Sequence, residues 1–130
     1  MRTLENAIIR LLKLKPFYGH LLMHLRRAPL QGTGKTAGIT IRNGVPLLAV
    51  DEERFAAHIQ TEQEALLEHL LKHLLHLHPL RRRDRTPHDW DVSCDLAINP
   101  GINGLPTGAL YPEHHDLPVG LSAEEYYDLI

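Results

Sequence analysis

The spacing of apolar residues divides the first part of the chain into helical and extended segments. Between residues 4 and 27, leucines and isoleucines recur at intervals of three and four, which predicts helix. Pro16 divides this region into two helices, because a proline disfavours helical geometry in the residue before it. Farther on, β-rich runs at 38–42 and 46–50 flank Asn43-Gly44, a strong hairpin turn signal. We therefore expect two helices followed by a β-hairpin.

Three further helices are predicted in the rest of the chain. Thr61 fits a capping box with the glutamate three residues on, so a helix should begin at residue 62 and run to about residue 78. A second helix should cover residues 90–99, and a long loop rich in glycine and proline should follow over 101–120. Ser122 begins another capping box and opens the last helix. The pattern as a whole predicts an α+β fold, mostly helical with a small β-hairpin or sheet.

Length and composition indicate one folded domain and argue against some classes of partner. A chain of 130 residues with 43% hydrophobic and 23% charged residues fits one folded domain over residues 1–130. Fourteen Lys and Arg against sixteen Asp and Glu give a net charge of −2, so no basic field favours nucleic acid or an anionic membrane. The single cysteine, Cys94, has no intramolecular disulfide partner, and no apolar run approaches the roughly 20 residues of a membrane span. We expect a cytoplasmic protein without a nucleic-acid or membrane partner.

One segment resembles a nucleotide-binding motif but does not match it fully. Gly32-Thr33-Gly34-Lys35-Thr36 resembles the end of a phosphate-binding loop, but Pro29 stands where the first glycine is required. Such a loop follows a strand and opens a helix, whereas this segment follows a helix and precedes β-rich sequence. The segment therefore predicts a connecting loop. Similarly, Cys94 lies among apolar neighbours and is expected to be a small buried hydrophobic residue.

Histidines are the unusual feature of the sequence. The chain has ten, and five of them lie between residues 58 and 78. On a regular helix His69 and His73 share one stripe at the border of the apolar face, and their i, i+4 spacing lets two imidazoles reach one ion. The zinc helix of HExxH peptidases has this spacing, but Leu70 stands where the general-base glutamate would be. Solvated histidines at the edge of a core are the alternative interpretation.

The order of several segments resembles a known family. LLEHLLKHLLHLHPLRR, HDWDVSCDLAIN and GLPTGALYPEHHDLPVGLSAEEYYDLI follow one another as in the N-terminal domain of the VWA-like metallopeptidases, bacterial proteins predicted to be metal-dependent peptidases. The family pattern is a HExxHxxxxH helix and an arginine, a second helix with an aspartate and an asparagine, a leucine-proline-glycine loop and a Ser-Ala-Glu-Glu helix. The residues of this chain that match the pattern are His69, His73, His78, Arg81 or Arg82, Trp90, Asp95, Asn99, Leu105, Pro106 and Gly108.

The resemblance implies a zincin-like fold in which His69 and His73 bind zinc. The third ligand would be His78 or Asp95. A regular helix turns His78 about 180° away from His69, which favours Asp95 on a neighbouring helix as the third ligand or its support. His78 would become the ligand only if the helix breaks before Pro79. Asp95 could otherwise be a helix charge or a hydrogen-bond partner of a histidine.

The resemblance also implies a peptide substrate, but the sequence departs from the family at Leu70. Without the glutamate we expect little or no peptide hydrolysis, and the neighbouring Glu68 points to the polar side of the helix. The VWA-like domain of the family is not part of the 130 residues. The alternative function is an interaction module that works with a MoxR-type AAA ATPase and a VWA-containing protein.

Overall fold

The computed structural model describes residues 2–130 and confirms an α+β fold. A three-stranded sheet lies against helices from both halves of the chain. The elements are α1 (Arg2–Leu14), α2 (Pro16–His24), β1 (Arg26–Pro29), β2 (Ala37–Arg42), β3 (Val45–Val50), α3 (Glu52–Ala56), α4 (Gln60–Leu75), α5 (His78–Arg81), α6 (Pro87–Ile98) and α7 (Ala123–Leu129), with short 3-10 turns at Asn99–Gly101 and Pro112–His115.

Helices α1 and α2 form the predicted pair, with Pro16 as the first residue of α2. Proline suits this position because the first helical residue needs no intrahelical N–H bond. Gly19 lets the two helices approach closely: a Cβ atom there would lie 2.4 Å from Cα of Leu12. The apolar face of α1, including Leu4 and Leu11, is buried in the main core together with residues of α4 and β3.

The sheet has the order β1-β3-β2. Strands β2 and β3 form the predicted antiparallel hairpin, and both turn residues, Asn43 and Gly44, have positive φ angles of 52° and 75°. Strand β1 was not predicted, because its sequence Arg-Arg-Ala-Pro lacks β-rich character. It pairs in parallel with β3, with Arg26 opposite Leu47. Strand β2 is therefore an edge strand, and this edge strand packs near α4.

Helix α4 differs from its prediction at both ends. It begins at Gln60, and its N-cap is Ile59 without a side-chain cap, so the capping box predicted at Thr61 is wrong. The helix ends at Leu75 and not at residue 78. Pro79 explains the early end, because it has no N–H to donate to the carbonyl group four residues earlier. Leu77 then takes a left-handed conformation with φ 56° and ψ 30°, and α5 begins at His78.

Helices α6 and α7 form a second, smaller core. Trp90 and Cys94 of α6 are buried with Ala123 of α7, which confirms both residues as core positions. The Trp90 indole N–H donates to the backbone carbonyl of His78 at 3.1 Å and so fixes α5 against α6. The capping box predicted at Ser122 is confirmed, since its side chain and that of Glu125 each bind the other's backbone N–H.

No helix in residues 2–130 is both long enough and apolar enough to cross a membrane.

Candidate metal centre

Helices α4 and α6 bring three potential metal ligands together. Nε2 of His69 and Nε2 of His73 lie 3.1 Å apart on α4, one helical turn from each other. Oδ1 of Asp95, on α6, lies 3.0 Å from Nε2 of His73 and 3.3 Å from Nε2 of His69. The three atoms thus form a nearly equilateral triangle, which we call the N/N/O triad.

The N/N/O triad fits the requirements of a zinc ion. Zinc binds imidazole nitrogen and carboxylate oxygen at roughly 2.0–2.2 Å in a tetrahedral arrangement, so neighbouring ligand atoms are about 3.3 Å apart. The observed separations of 3.0, 3.1 and 3.3 Å are close to that value. Three protein ligands with one position left open are typical of catalytic zinc sites.

The orientation of His69 is fixed by Asn99. The Asn99 side-chain N–H donates to the carbonyl of Leu110 at 2.9 Å, which leaves Oδ1 of Asn99 facing Nδ1 of His69 at 2.8 Å. An amide oxygen only accepts hydrogen bonds, so Nδ1 of His69 must carry the proton. In the neutral ring the lone pair of Nε2 then faces the N/N/O triad, as a metal-binding histidine requires. In the charged ring Nε2 also carries a proton and donates to Oδ1 of Asp95, 3.3 Å away.

His78 contacts His73 from the side opposite the N/N/O triad. Their Nδ1 atoms lie 3.0 Å apart, so one nitrogen donates and the other accepts. Burial is the main cause that lowers the pKa of His78 to about 3, with a further contribution from the charge of His73. His78 is consequently neutral at pH 7. In the tautomer in which Nδ1 of His73 donates the hydrogen bond to Nδ1 of His78, Nε2 of His73 keeps its lone pair for an ion.

Asp95 stays ionised beside the two histidines. Burial by itself would raise its pKa, but hydrogen bonds and charges from His69 and His73 outweigh this effect and hold the pKa at about 2. The carboxylate therefore contributes a negative charge to the N/N/O triad at neutral pH, which favours a cation there.

The expectation that His78 faces away from the other histidines is wrong. It assumed a regular helix through residue 78, whereas the left-handed Leu77 reverses the chain after α4. His78 returns under α4 and is buried with 3% of its surface exposed. His76 is exposed and stacks on His78 with 5.4 Å between the ring centroids.

A second group of donor atoms adjoins the N/N/O triad. His73, His78 and Cys94 offer ligand atoms that all lie within 4.8 Å of one another. Cys94 is buried as expected, and burial, followed by the charge of Asp95, raises the pKa of its thiol to about 12. From the sequence Cys94 is expected only as a core residue, but the structure places it beside His73 and His78, next to Asp95 in the chain.

The carboxylates near α4 do not replace the missing glutamate. Leu70 is buried in the main core with 7% of its surface exposed. Glu68 is also buried, and its two oxygens pair with Lys15 at 2.6 Å and with Lys72 at 3.5 Å. Glu68 is thus held in an ion-pair network and does not line either cavity described next.

Two cavities open onto the N/N/O triad, and His69 and Asp95 line both. The larger, of about 650 Å³, is also lined by residues of β2 and by His73, His78 and Cys94. The smaller, of about 210 Å³, has mainly apolar walls from α4 and from the loop before Leu110. The long loop predicted over 101–120 therefore forms part of the site. In the cavity walls that belong to the described residues, Asp91 and Asp95 are the carboxylates.

The other segments singled out in the sequence lie outside the N/N/O triad. Residues 32–36 form the expected loop between β1 and β2, although Lys35 lines the larger cavity. His114 and His115 are exposed in a 3-10 turn. Arg81 pairs with Glu124, with 2.9 Å between Nε and Oε2, and so joins α5 to α7.

Comparison with known proteins gives one family and one relative. A family model described as "Putative metallopeptidase domain" matches residues 1–130. An uncharacterized protein of Thermotoga maritima is 29% identical over 122 residues, a match that covers 87% of this chain and 30% of that protein. The chain thus spans less than a third of the length of this relative. No solved structure matches the chain.

Proposed function

The chain belongs to the family of that metallopeptidase domain, and we propose that it binds one zinc ion at the N/N/O triad but hydrolyses peptides weakly or not at all. The observation that carries the proposal is the convergence of three donor atoms, from His69, His73 and Asp95, within 3.0–3.3 Å of one another. A metallopeptidase domain implies a metal, and the nitrogen and oxygen donors suit zinc.

The residues of the site have different roles in such a centre. His69 and His73 supply neutral nitrogen ligands, held in place by Asn99 and His78, and Asp95 supplies a charged oxygen ligand. A zinc ion bound there acts as a Lewis acid toward the carbonyl group of a peptide. The cavities on either side of the N/N/O triad provide space for that peptide.

General-base catalysis is the function that the chain lacks. Peptide hydrolysis requires a group that takes a proton from the attacking water, and this assistance contributes roughly 10²–10⁴-fold to the rate. Leu70 occupies the corresponding family position and belongs to the core, and Glu68 is paired with two lysines. These two positions support a peptidase site that binds zinc and a peptide without efficient turnover.

The same observation at position 70 supports a second candidate function, an interaction module that works with a MoxR-type AAA ATPase and a VWA-containing protein. In this role the zinc centre would stabilise the domain or bind a segment of the partner. The length of the Thermotoga relative is compatible with further domains in such an assembly.

Metal content tests the leading proposal. Protein purified without an affinity tag should contain about one zinc per chain, and the double variant His69→Ala/His73→Ala should contain almost none. The matched control is His114→Ala/His115→Ala, because it removes two histidines that are exposed outside the site. If the His69/His73 double variant retained as much zinc as the wild type, the N/N/O triad would not be the metal centre.

A chelator-sensitive cleavage assay on an unstructured protein tests whether the wild-type chain is an efficient peptidase. Wild-type protein loaded with zinc should show weak turnover or none above the buffer background. Efficient zinc-dependent cleavage would contradict the proposal of a missing base. Asp91 would then be the first residue to substitute, since it lies one helical turn before Asp95 and lines the larger cavity.

A further inference from the structure

We propose that the chain has a second metal position, specific for soft ions, formed by Nδ1 of His73, Nδ1 of His78 and Sγ of Cys94. We call these atoms the N/N/S group. It shares His73 with the proposed zinc centre, but it depends on neither His69 nor Asp95. An ion bound there competes with zinc for His73.

Geometry is the first support for this position. One ligand atom from each of His73, His78 and Cys94 lies within 4.8 Å of the other two. The Nδ1 atoms of His73 and His78 are already 3.0 Å apart. His78 and Cys94 are 3% and 2% exposed, so both donors are held in packed surroundings. All three residues line the cavity of about 650 Å³, which gives an ion a route to them.

The donor types decide which ions the position favours. A thiolate with two imidazoles is a softer ligand set than the two imidazoles and one carboxylate of the N/N/O triad, so it favours thiophilic ions such as Cu⁺ and Cd²⁺ more strongly than the triad does. Coordination displaces the thiol proton of Cys94 to solvent, since a metal-bound thiol is deprotonated outright.

The ring of His73 makes the two positions mutually exclusive. When Nδ1 of His73 binds an ion, its remaining proton moves to Nε2 and donates to Oδ1 of Asp95, 3.0 Å away. Nε2 then has no lone pair for zinc. When Nε2 binds zinc, Nδ1 carries the proton and donates to His78. One chain therefore holds one ion, and a soft ion releases zinc.

Cadmium is the probe for this inference, because cadmium bound to a thiolate gives a charge-transfer absorption band in the ultraviolet. Cd²⁺ is titrated into the full zinc-loaded chain, with a zinc-sensitive dye present to report release. The expected result is a cadmium–thiolate band that saturates at one ion per chain, with zinc released in parallel. If no band appears, or if the band grows with zinc still bound, the inference is overturned.

Three variants show which residues are responsible. Cys94→Ala should abolish the band and weaken cadmium binding by at least about 10-fold, with zinc affinity unchanged. His78→Gln keeps the thiol and should weaken the band by a similar factor; an unchanged band would mean that the cysteine captures cadmium alone, which overturns the N/N/S group. Thermal melts of each variant establish that it is folded before it is titrated.

His69→Gln separates this inference from the proposed function. The variant should lose zinc affinity but keep the cadmium band, because His69 belongs only to the N/N/O triad. If wild-type protein shows the cadmium band and binds no zinc, the proposed zinc centre fails and the N/N/S group stands. If zinc binds normally and no cadmium band forms, the N/N/S group fails and the zinc centre stands.

Discussion

Asn99 determines which nitrogen of His69 faces the N/N/O triad. Its side-chain N–H donates to the backbone of Leu110, and its oxygen therefore accepts from Nδ1 of His69. Outer partners of this kind typically contribute 10–100-fold to metal affinity. Asn99 is therefore expected to affect the metal affinity of the proposed site, although it is not one of the proposed ligands.

Substitution of Asn99 is expected to weaken zinc binding without removing a ligand. Asn99→Ala should lower zinc affinity by about 10-fold, because Nδ1 of His69 loses its acceptor. Asn99→Asp keeps an oxygen acceptor and should retain most of the affinity. The measurement is competition with a chelating dye, and Asn103→Ala, at an exposed position, is the control. Equal affinities for Asn99→Ala and wild type would show that Asn99 does not orient His69.

Position 70 is the second residue that decides the chemistry. Leu70→Glu should give more chelator-sensitive peptide cleavage than the wild type, since a carboxylate there can take a proton from the attacking water. The same change should lower the free energy of unfolding, because Leu70 is buried in the main core. Leu70→Gln is the matched control: it has nearly the same shape but cannot act as the base.

The outcome of the Leu70 variants also decides between the two candidate functions. Cleavage by the glutamate variant alone supports a peptidase site that has lost its base. A folded, zinc-loaded Leu70→Glu variant that remains inert would contradict that interpretation and favour the interaction module.

Among the elements, the turn between α4 and α5 determines where His78 lies relative to His73. Leu77 adopts a left-handed conformation that costs a residue with a side chain roughly 1–2 kcal/mol. That conformation follows the end of α4 and places His78 against His73. The turn thus supplies the hydrogen-bond partner of one ligand of the proposed zinc centre.

Leu77→Gly is therefore expected to raise the free energy of unfolding by up to about 1 kcal/mol. The control is Leu75→Gly in the last turn of α4, which should lower it by about 1 kcal/mol. The two leucines are similarly exposed, at 50% and 46%, so the loss of burial is comparable. Urea unfolding measures both effects. A loss of stability in Leu77→Gly larger than in Leu75→Gly would contradict this description of the turn.

At the scale of the whole molecule, the low pKa of His78 makes the free energy of unfolding depend on pH. Burial, and then the charges of His73, Arg81 and His76, lower its pKa from 6.5 to about 3, while the charge of Glu124 opposes them. Between pH 6.5 and 3 the unfolded chain binds a proton here that the folded chain does not. The free energy of unfolding therefore rises with pH across this window.

Metal-free protein should accordingly lose roughly 2 kcal/mol of stability at this position between pH 6.5 and pH 5. Asp95 does not contribute in that range: its pKa is lowered from 3.8 to about 2, so its stabilisation is lost only as the pH falls below about 4. The measurement is urea unfolding with a chelator at several pH values. In His78→Gln the free energy of unfolding should change less with pH than in the wild type. If it changed by the same amount, the proton taken up on unfolding would belong to another group.

Local features of the sequence determined most of the helices and the hairpin. Pro16 separates α1 from α2, Asn43-Gly44 forms the turn between β2 and β3, and Ser122 caps α7. Each prediction was successful because the relevant atoms lie within a few residues of one another. The i, i+4 spacing of His69 and His73 was recognised for the same reason, since one helical turn brings their nitrogens to 3.1 Å.

Tertiary structure decided the features that depend on distant residues. Strand β1 has little β-rich character and exists because it pairs with β3, about twenty residues later. The capping box at Thr61 matched its pattern but was not used, because α4 begins earlier, at Gln60. In both cases the element that formed depended on residues outside the short sequence pattern used for the prediction.

The environment of the histidines likewise depends on tertiary structure. Asp95 and Asn99 reach His73 and His69 only because α6 packs beside α4, and the sequence separations are 22 and 30 residues. His78 reaches His73 only because the chain reverses at Leu77. The sequence by itself determined which residues can bind a metal, since ligand chemistry belongs to the side chain. The packing of α6 beside α4 and the left-handed conformation of Leu77 decided which of these residues lie close together.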